Sequence, residues 1–168
     1  FRIADGRHTL LIEEMDLEGI LRTLSRDIAK KAEMKQQTLT MDIPEAFPTI
    51  QGDFTAIRGI LYNLLDNAVK FSPLGTEISL AIIPGDPLKI DVRDSGPGIS
   101  REDRGKLFSR FEPLSTQPTG GESSTGLGLY VAKELARMNG GDLEYRDSTE
   151  GAWFRLTVPI SIQLEDAK

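Results

Sequence analysis

Apolar residues follow two different periods along the chain, and each period predicts one kind of element. After Asp16, a suitable helix N-cap, apolar residues recur every three or four positions, which is the spacing of a helix. The same spacing returns twice further on, whereas five shorter segments alternate between apolar and polar residues. The predicted helices run from 17 to about 36, from 54 to about 71 and from 126 to about 138, with a short one at Arg101–Phe108, and the predicted strands cover 38–43, 76–83, 88–94, 142–146 and 153–160.

The order of these elements predicts the fold class. Helix, strand, helix, two strands, helix and two strands indicate an α+β two-layer sandwich. We expect a mixed sheet of about five strands, covered on one face by three helices. The predicted domain covers 16–160, after a connector and first strand in 1–15 and before a tail or linker in 161–168. Residues 113–125 are polar and contain Pro118, Gly120 and Gly121, so they suit a long flexible loop.

Composition narrows the range of possible chemistry. The 168 residues carry 20 basic and 26 acidic side chains, a net charge of −6, which makes a poor binder of nucleic acids or anionic membranes. The chain has no cysteine and one histidine, which excludes thiolate metal sites and a cysteine nucleophile and leaves little room for multi-histidine metal chemistry. No apolar stretch is long enough to cross a membrane. Because the chain begins with Phe1 rather than Met, we expect it to be part of a longer protein.

A polar row on the second predicted helix is the first candidate site. Asn63, Asn67 and Lys70 are spaced to lie on one side of the helix, and amide oxygens one turn apart can bind Mg²⁺ while the lysine can contact phosphate. An ordinary solvent-exposed face explains the same pattern. The opposite side is an apolar stripe made of Phe54, Ile57, Leu61, Leu64, Leu65 and Ala68.

Asp94 is the second candidate. Alternation along Leu88–Asp94 places its carboxylate on the core side of a strand end, where burial is costly without a hydrogen-bond donor. The exocyclic amine of adenine is such a donor, whereas guanine presents an acceptor at that place. Gly96 and Gly98 would let the backbone approach a ring closely. A capping aspartate before a turn is the alternative interpretation.

The third candidate is the start of the third long helix, at Thr125-Gly126-Leu127-Gly128-Leu129. The N–H groups of a helix N-terminus suit phosphate oxygens, and the glycines permit close contact. The preceding loop has the length and composition of a lid, and a surface loop without a function is the alternative.

Taken together, these segments resemble the ATP-binding catalytic domain of sensor histidine kinases, from about Asp16 to Pro159. Four boxes of that family are matched in order: Asn63–Phe71 resembles the N box, Asp94–Ile99 the first glycine box, Leu107–Phe111 the F box and Gly121–Leu129 the second glycine box. The resemblance implies the Bergerat ATP-binding fold, with a lid at about 112–125. It also implies ATP and Mg²⁺ as cofactors.

The resemblance implies a role for each matched residue. Asn67 with Asn63 would hold Mg²⁺, Lys70 would contact phosphate, and Asp94 would accept a hydrogen bond from adenine. The adenine wall would include Gly96, Gly98, Ile99 and Phe71, the phosphates would meet Thr125, Gly126, Leu127, Gly128 and Leu129, and Phe111 would pack at the lid.

Two positions bear on the activity that the resemblance implies. ATP-hydrolysing relatives carry a glutamate base where Asn63 stands, and an amide cannot take a proton, so we expect slow hydrolysis. Many members of the family have an arginine that reaches the γ-phosphate where this chain has Pro113; Arg110 is the candidate for that role.

The implied function is transfer of the γ-phosphoryl group to a histidine on a separate dimerisation domain, within two-component signalling and phosphorelay. The sequence after His8 does not match the family's phosphoacceptor motif, so the acceptor is expected elsewhere in the full protein. Expected partners are that upstream domain and a response regulator. The fragment is expected to be monomeric and cytoplasmic, and the full protein homodimeric, with its anchoring in the inner membrane left open. The alternative is a degenerate nucleotide-binding or partner-binding module without kinase activity, which Pro113 favours. An ATPase or a serine kinase of the same superfamily is a further alternative, and Asn63 argues against it.

Overall fold

The computed structural model describes residues 9–46, 49–109 and 127–160, except for the side chain of Leu127. Within these ranges the chain forms four helices and seven strands. The helices are α1 (Leu17–Met34), α2 (Phe54–Phe71), α3 (Arg101–Arg104) and α4 (Leu127–Met138). The strands are β1 (Glu13–Met15), β2 (Thr38–Asp42), β3 (Ile50–Gly52), β4 (Glu77–Ile83), β5 (Leu88–Arg93), β6 (Asp142–Arg146) and β7 (Trp153–Val158).

Five strands form the main sheet in the order β2-β4-β5-β7-β6. β2 pairs with β4 in parallel, and the other three pairs are antiparallel. The predicted mixed sheet of five strands is therefore confirmed. A second, two-stranded sheet joins β1 to β3, and β3 is a strand that the sequence pattern did not predict. Three residues are too few for the alternation to be recognised, so only the pairing with β1 reveals this strand.

The three long helices cover one face of the main sheet, as predicted. α2 lies between α1 and α4 and contacts both, while α4 also packs on β6 and β7. Alternate residues of the sheet and the inner sides of the helices join in one apolar core, because each element buries its apolar side against the other layer. The predicted inner residues of α1 are all buried: Leu17, Ile20, Leu21, Leu24 and Ile28.

Two predictions about local structure are wrong. The helix expected at Arg101–Phe108 is helical only over Arg101–Arg104, and turns follow it from Gly105, a residue that lowers helix stability. Phe54, expected in the buried stripe of α2, is 55% exposed. It is the first residue of its helix and lies beside β1 and β3, outside the core, which periodicity alone cannot reveal.

Buried polar side chains fix both ends of α2. At the start, Asp53 accepts a hydrogen bond from the Ala56 N–H (2.9 Å), and the Asp53 N–H donates to Asn139 Oδ1 (2.7 Å) at the end of α4. At the other end, buried Lys35 donates through Nζ to the carbonyl oxygens of Val69 (2.7 Å) and Lys70 (3.1 Å). These bonds occupy backbone groups that a helix leaves unpaired, and so they set the position of α2 relative to its neighbours.

No helix within the described ranges combines the length and the apolar character needed to cross a membrane.

Candidate nucleotide-binding site

A pocket opens between α2, the end of β5 and the start of α4, with about 480 Å³ of empty space that is partly open to solvent. Most of its wall is apolar, with one carboxylate and one amide among the lining side chains. Six predicted site residues lie in this wall: Asn67, Phe71, Asp94, Gly98, Ile99 and Leu129. The other lining residues are Leu64, Ala68, Val92, Pro97, Ala152 and Phe154.

Asp94 provides the carboxylate, and its two oxygens have different environments. Oδ1 accepts hydrogen bonds from the backbone N–H of Ala152 (2.8 Å) and from that of Gly96 (2.9 Å). Oδ2 has no hydrogen-bond partner among the described residues. Burial raises the pKa of Asp94 above its ordinary value, and the two backbone N–H groups oppose that rise. The pocket therefore holds an oriented acceptor that a donor on a flat ligand can reach.

Close backbone approaches hold Asp94 in this orientation. A Cβ atom at Gly151 would collide with the Asp94 backbone, and Gly151 itself has a φ of 64°. A Cβ atom at Gly96 would lie 2.6 Å from the carbonyl oxygen of Phe71. Gly96 is absent from the pocket wall, so the lack of a side chain there permits close approach to the end of α2 rather than to a ligand ring. Only glycine fits at these two positions without a shift of the backbone.

Asn63 and Asn67 lie one turn apart on α2 but reach different surroundings. Asn67 lines the pocket, whereas Asn63 lies against the first turn of α4, where a Cβ at Gly128 would be 2.6 Å from Asn63 Oδ1. Asn63 Nδ2 is inaccessible to solvent and has no hydrogen-bond partner within the described ranges. The row is therefore not a solvent-exposed face: it borders the pocket and α4. An unpaired donor beside a glycine at a helix start suits an anionic group, and the nearby amide oxygens suit a hard cation such as Mg²⁺.

Lys70 belongs to a cluster of charges that the sequence reading did not foresee. Its Nζ lies 3.2 Å from Asp66 Oδ2, while Asp66 Oδ1 accepts a hydrogen bond from Lys31 Nζ (2.8 Å) on α1. The hydrogen bond to Asp66 is the main cause that raises the pKa of Lys31, and a hydrogen bond to Tyr62 is the next. Asp66 thus shares its two oxygens between two lysines, and Lys70, which is not among the residues that line the pocket, has a carboxylate partner.

Several predicted residues lie outside the described ranges: Arg110, Phe111, Pro113, Thr125, Gly126 and the lid expected at 112–125. The side chain of Leu127 is likewise not described. Their predicted roles stay predictions.

The sequence pattern of the histidine kinase-, DNA gyrase B- and HSP90-like ATPase family matches residues 52–162. The chain belongs to this family. The match contains the pocket, Asp94 and the contact between Asn63 and Gly128, and it confirms the resemblance seen in the four boxes.

Two relatives show which share of a longer protein this chain matches. The chain is 34% identical over 165 residues to the non-motile and phage-resistance protein of Caulobacter vibrioides, covering 95% of this chain and 20% of that protein. It is 32% identical over 155 residues to the adaptive-response sensory kinase SasA of Thermosynechococcus vestitus, covering 90% of this chain and 40% of the kinase. The chain therefore spans less than half of either relative.

Two solved structures confirm the fold. The catalytic domain of histidine kinase ThkA superposes with a TM-score of 0.79 at 22% identity, covering 90% of this chain and 99% of that domain. Full-length ShkA in complex with AMPPNP superposes with a TM-score of 0.73 at 27% identity, covering 93% of this chain and 33% of that one.

Gly151, Ala152 and Asp66 are site residues of this family member that the sequence reasoning missed. Gly151 and Ala152 orient Asp94 although they are more than fifty positions away, and Asp66 lies inside the N box. A glycine two positions before the predicted strand 153–160 was the available signal for the first pair. For Asp66, the signal was a carboxylate four positions before Lys70 on one helix.

Proposed function

We propose that this chain binds Mg-ATP and donates the γ-phosphoryl group to a histidine on a separate domain of a two-component sensor kinase. The observation that carries the proposal is Asp94, whose Oδ1 is fixed by two backbone N–H groups while Oδ2 has no partner among the residues that the structure describes. Since the surrounding wall is mostly apolar, a purine that donates from an exocyclic amine is the matching ligand.

Each residue would act by position and charge, which is how phosphoryl transfer is generally catalysed. Asp94 would accept from the adenine amine, and Phe71 and Ile99 would enclose the ring. Asn67 and Asn63 would hold Mg²⁺ beside the phosphates, where the ion neutralises negative charge. The unpaired Asn63 Nδ2 and the first turn of α4 would donate to phosphate oxygens.

We expect slow transfer to water. Asn63 cannot act as a base, and Asp66, the carboxylate three residues further along α2, is paired with Lys31 and Lys70. The γ-phosphoryl group would therefore wait for a stronger nucleophile, an imidazole on the upstream dimerisation domain. A response regulator would receive the group next, and we place the domain in the cytoplasm, where ATP is available.

Calorimetric titration of Mg-ATP into the fragment, with Asp94→Asn alongside, tests the pocket. In the variant, Oδ1 must still accept from Gly96 and Ala152, so the new amide nitrogen points at the adenine amine, donor against donor. We expect the affinity to fall about 10–100-fold. Asp86→Asn, in the exposed turn between β4 and β5, is the matched control and should leave the affinity unchanged.

A second measurement tests the transfer. Labelled ATP is mixed with the fragment and the separately purified dimerisation domain of the same full protein. We expect label on the acceptor domain, and none when its histidine is replaced by glutamine. Binding of ATP without transfer would support the degenerate module instead, and no binding by a folded fragment would refute the pocket assignment.

A further inference from the structure

The face of the main sheet that points away from the long helices carries a cluster centred on Trp153. Arg93 on β5 and Arg146 on β6 are the direct cross-strand partners of Trp153 on β7. Arg155, two residues further along β7, points to the same face. Three arginines thus surround one indole on this face of the sheet.

The arginines contact the indole directly. The guanidinium carbon lies 3.8 Å from the Trp153 ring centre for Arg93, 5.1 Å for Arg146 and 5.4 Å for Arg155. These distances are those of cation–π contacts, which hold a guanidinium flat and leave its N–H groups directed sideways. The cluster is therefore organised before any partner arrives.

The charges of the cluster are unequally compensated. Arg155 makes a bidentate pair with buried Asp91, at 2.8 and 2.9 Å, and Arg146 lies 3.8 Å from Glu144. Arg93 has no carboxylate within ion-pair distance in the part of the chain that the structure describes. A local positive charge thus remains on a chain whose net charge is −6. Because salt screens charges beyond about 8 Å, this local excess governs what binds here.

Two hydrogen-bond donors of the cluster have no acceptor. Trp153 Nε1 and Arg146 Nε are both inaccessible and unpaired within the described residues. Such donors are rare in proteins, and an acceptor brought by a binding partner would satisfy them. The Arg146 side chain is 40% exposed, so a partner can reach this part of the cluster.

We propose that this Trp153 surface, made of Arg93, Arg146, Trp153 and Arg155, docks an acidic segment of a protein partner. Planar guanidinium groups match the geometry of carboxylates, and tryptophan and arginine dominate the energetics of protein interfaces. The surface lies on the opposite side of the sheet from the helices that border the nucleotide pocket, so an acidic segment can dock here without entering the pocket.

Trp153 is the one tryptophan of the chain, so its fluorescence reports on this surface alone. The probe is a short glutamate-rich peptide with blocked ends, titrated at low and at high salt. We expect a saturable change in emission whose affinity falls with salt. Arg93→Ala and Arg146→Ala should each lower the affinity for the peptide at least about threefold. Arg22 is exposed on α1, and Arg22→Ala should leave the affinity unchanged.

Controls separate this surface from the pocket and from misfolding. Circular dichroism and Mg-ATP titration are repeated for every variant and should match the unsubstituted chain. A matched lysine-rich peptide and anionic lipid vesicles are titrated in parallel. The proposal is overturned if the acidic peptide gives no saturable change in emission, or if Arg22→Ala lowers the affinity for it as much as Arg93→Ala and Arg146→Ala do. It is also overturned if the lysine-rich peptide or the vesicles bind as tightly as the acidic peptide. Loss of ATP binding with intact peptide binding would count against the pocket assignment and leave the docking proposal standing.

Discussion

Asp94 uses its two carboxylate oxygens for separate purposes. Oδ1 is bound to the backbone of Gly96 and Ala152, which fixes the plane of the group, and Oδ2 remains available to a ligand. Because burial disfavours the charged form, the pKa of Asp94 is raised. The same group is therefore oriented for binding and sensitive to pH.

For this residue, we expect ATP affinity to begin to fall at a higher pH than it would with an aspartate of ordinary pKa. As the pH drops toward the raised pKa, Asp94 takes up a proton and loses part of its acceptor strength. The effect of Asp94 on the free energy of unfolding has the opposite sign. The folded state binds the proton more tightly than the unfolded chain does, so the contribution of Asp94 to stability falls as the pH rises from the ordinary pKa to the raised one.

Calorimetric titrations from neutral pH downward measure this dependence. Asp94→Asn is the control, because it retains every other titrating group, including those of ATP itself. The difference between the two profiles isolates Asp94. Identical profiles would show that Asp94 does not contact the nucleotide.

At the scale of elements, the contact between α2 and α4 decides the phosphate end of the site. Gly128 lets the first turn of α4 approach Asn63 so closely that a Cβ would lie 2.6 Å from Oδ1. Gly128→Ala should therefore displace the Asn63 side chain. We expect affinity for ATP to fall about 10–100-fold, with affinity for adenosine nearly unchanged.

Gly59→Ala is the matched control for that experiment. Gly59 also lies in a long helix, but a Cβ there meets no atom within 4 Å. The control should bind ATP normally and gain about 0.5–1 kcal/mol of stability from helix propensity. Equal loss of ATP and adenosine affinity in Gly128→Ala would place the damage in the adenine pocket instead.

The end of α2 depends on a second contact between elements, made by Lys35. Lys35→Met keeps the length of the side chain but removes the donor to the carbonyl oxygens of Val69 and Lys70. We expect the free energy of unfolding to fall by about 1–3 kcal/mol, measured by urea denaturation with an unchanged m-value. Lys30→Met, exposed on the same helix, should have almost no effect. Equal stability of the two variants would contradict a capping role.

At the scale of the whole molecule, one core joins the main sheet to all three long helices. The described domain should therefore unfold in a single cooperative transition. Since the pocket lies between α2, β5 and α4, bound nucleotide should stabilise the whole unit by mass action. At about 100 times the dissociation constant this contributes about 2.7 kcal/mol, which corresponds to a rise in Tm of about 5–10 °C.

Thermal scans with and without Mg-ATP check this prediction. Asp94→Asn should show at most about half of this rise under the same conditions, and the Asp86→Asn control should match the unsubstituted chain. Two separate transitions, or a rise of equal size in Asp94→Asn, would contradict the arrangement of core and pocket.

The main elements and most of the core could be predicted from the pattern of residues along the chain. Helical and strand periods are local patterns, and apolar residues are buried wherever a pattern gives an element one apolar side, as in α1. Residue chemistry also pointed to the site: Asn67, Phe71, Asp94, Gly98, Ile99 and Leu129 all line the pocket. Local signals failed at Phe54, where the exposure of a helix end depends on its neighbours, and at β3, which is too short to show a period.

Which atoms are available for chemistry depends on how the elements pack against one another. Asn63 and Asn67 share one helix face in sequence, yet one reaches α4 and the other the pocket, because α4 packs against that side of α2. The Ala152 N–H donates to Oδ1 of Asp94 and so leaves Oδ2 for a ligand. The Trp153 surface exists because the register of β5, β7 and β6 places its residues side by side. The spacing of residues along the chain does not specify such long-range contacts, since they arise only when the layers pack and the strands pair.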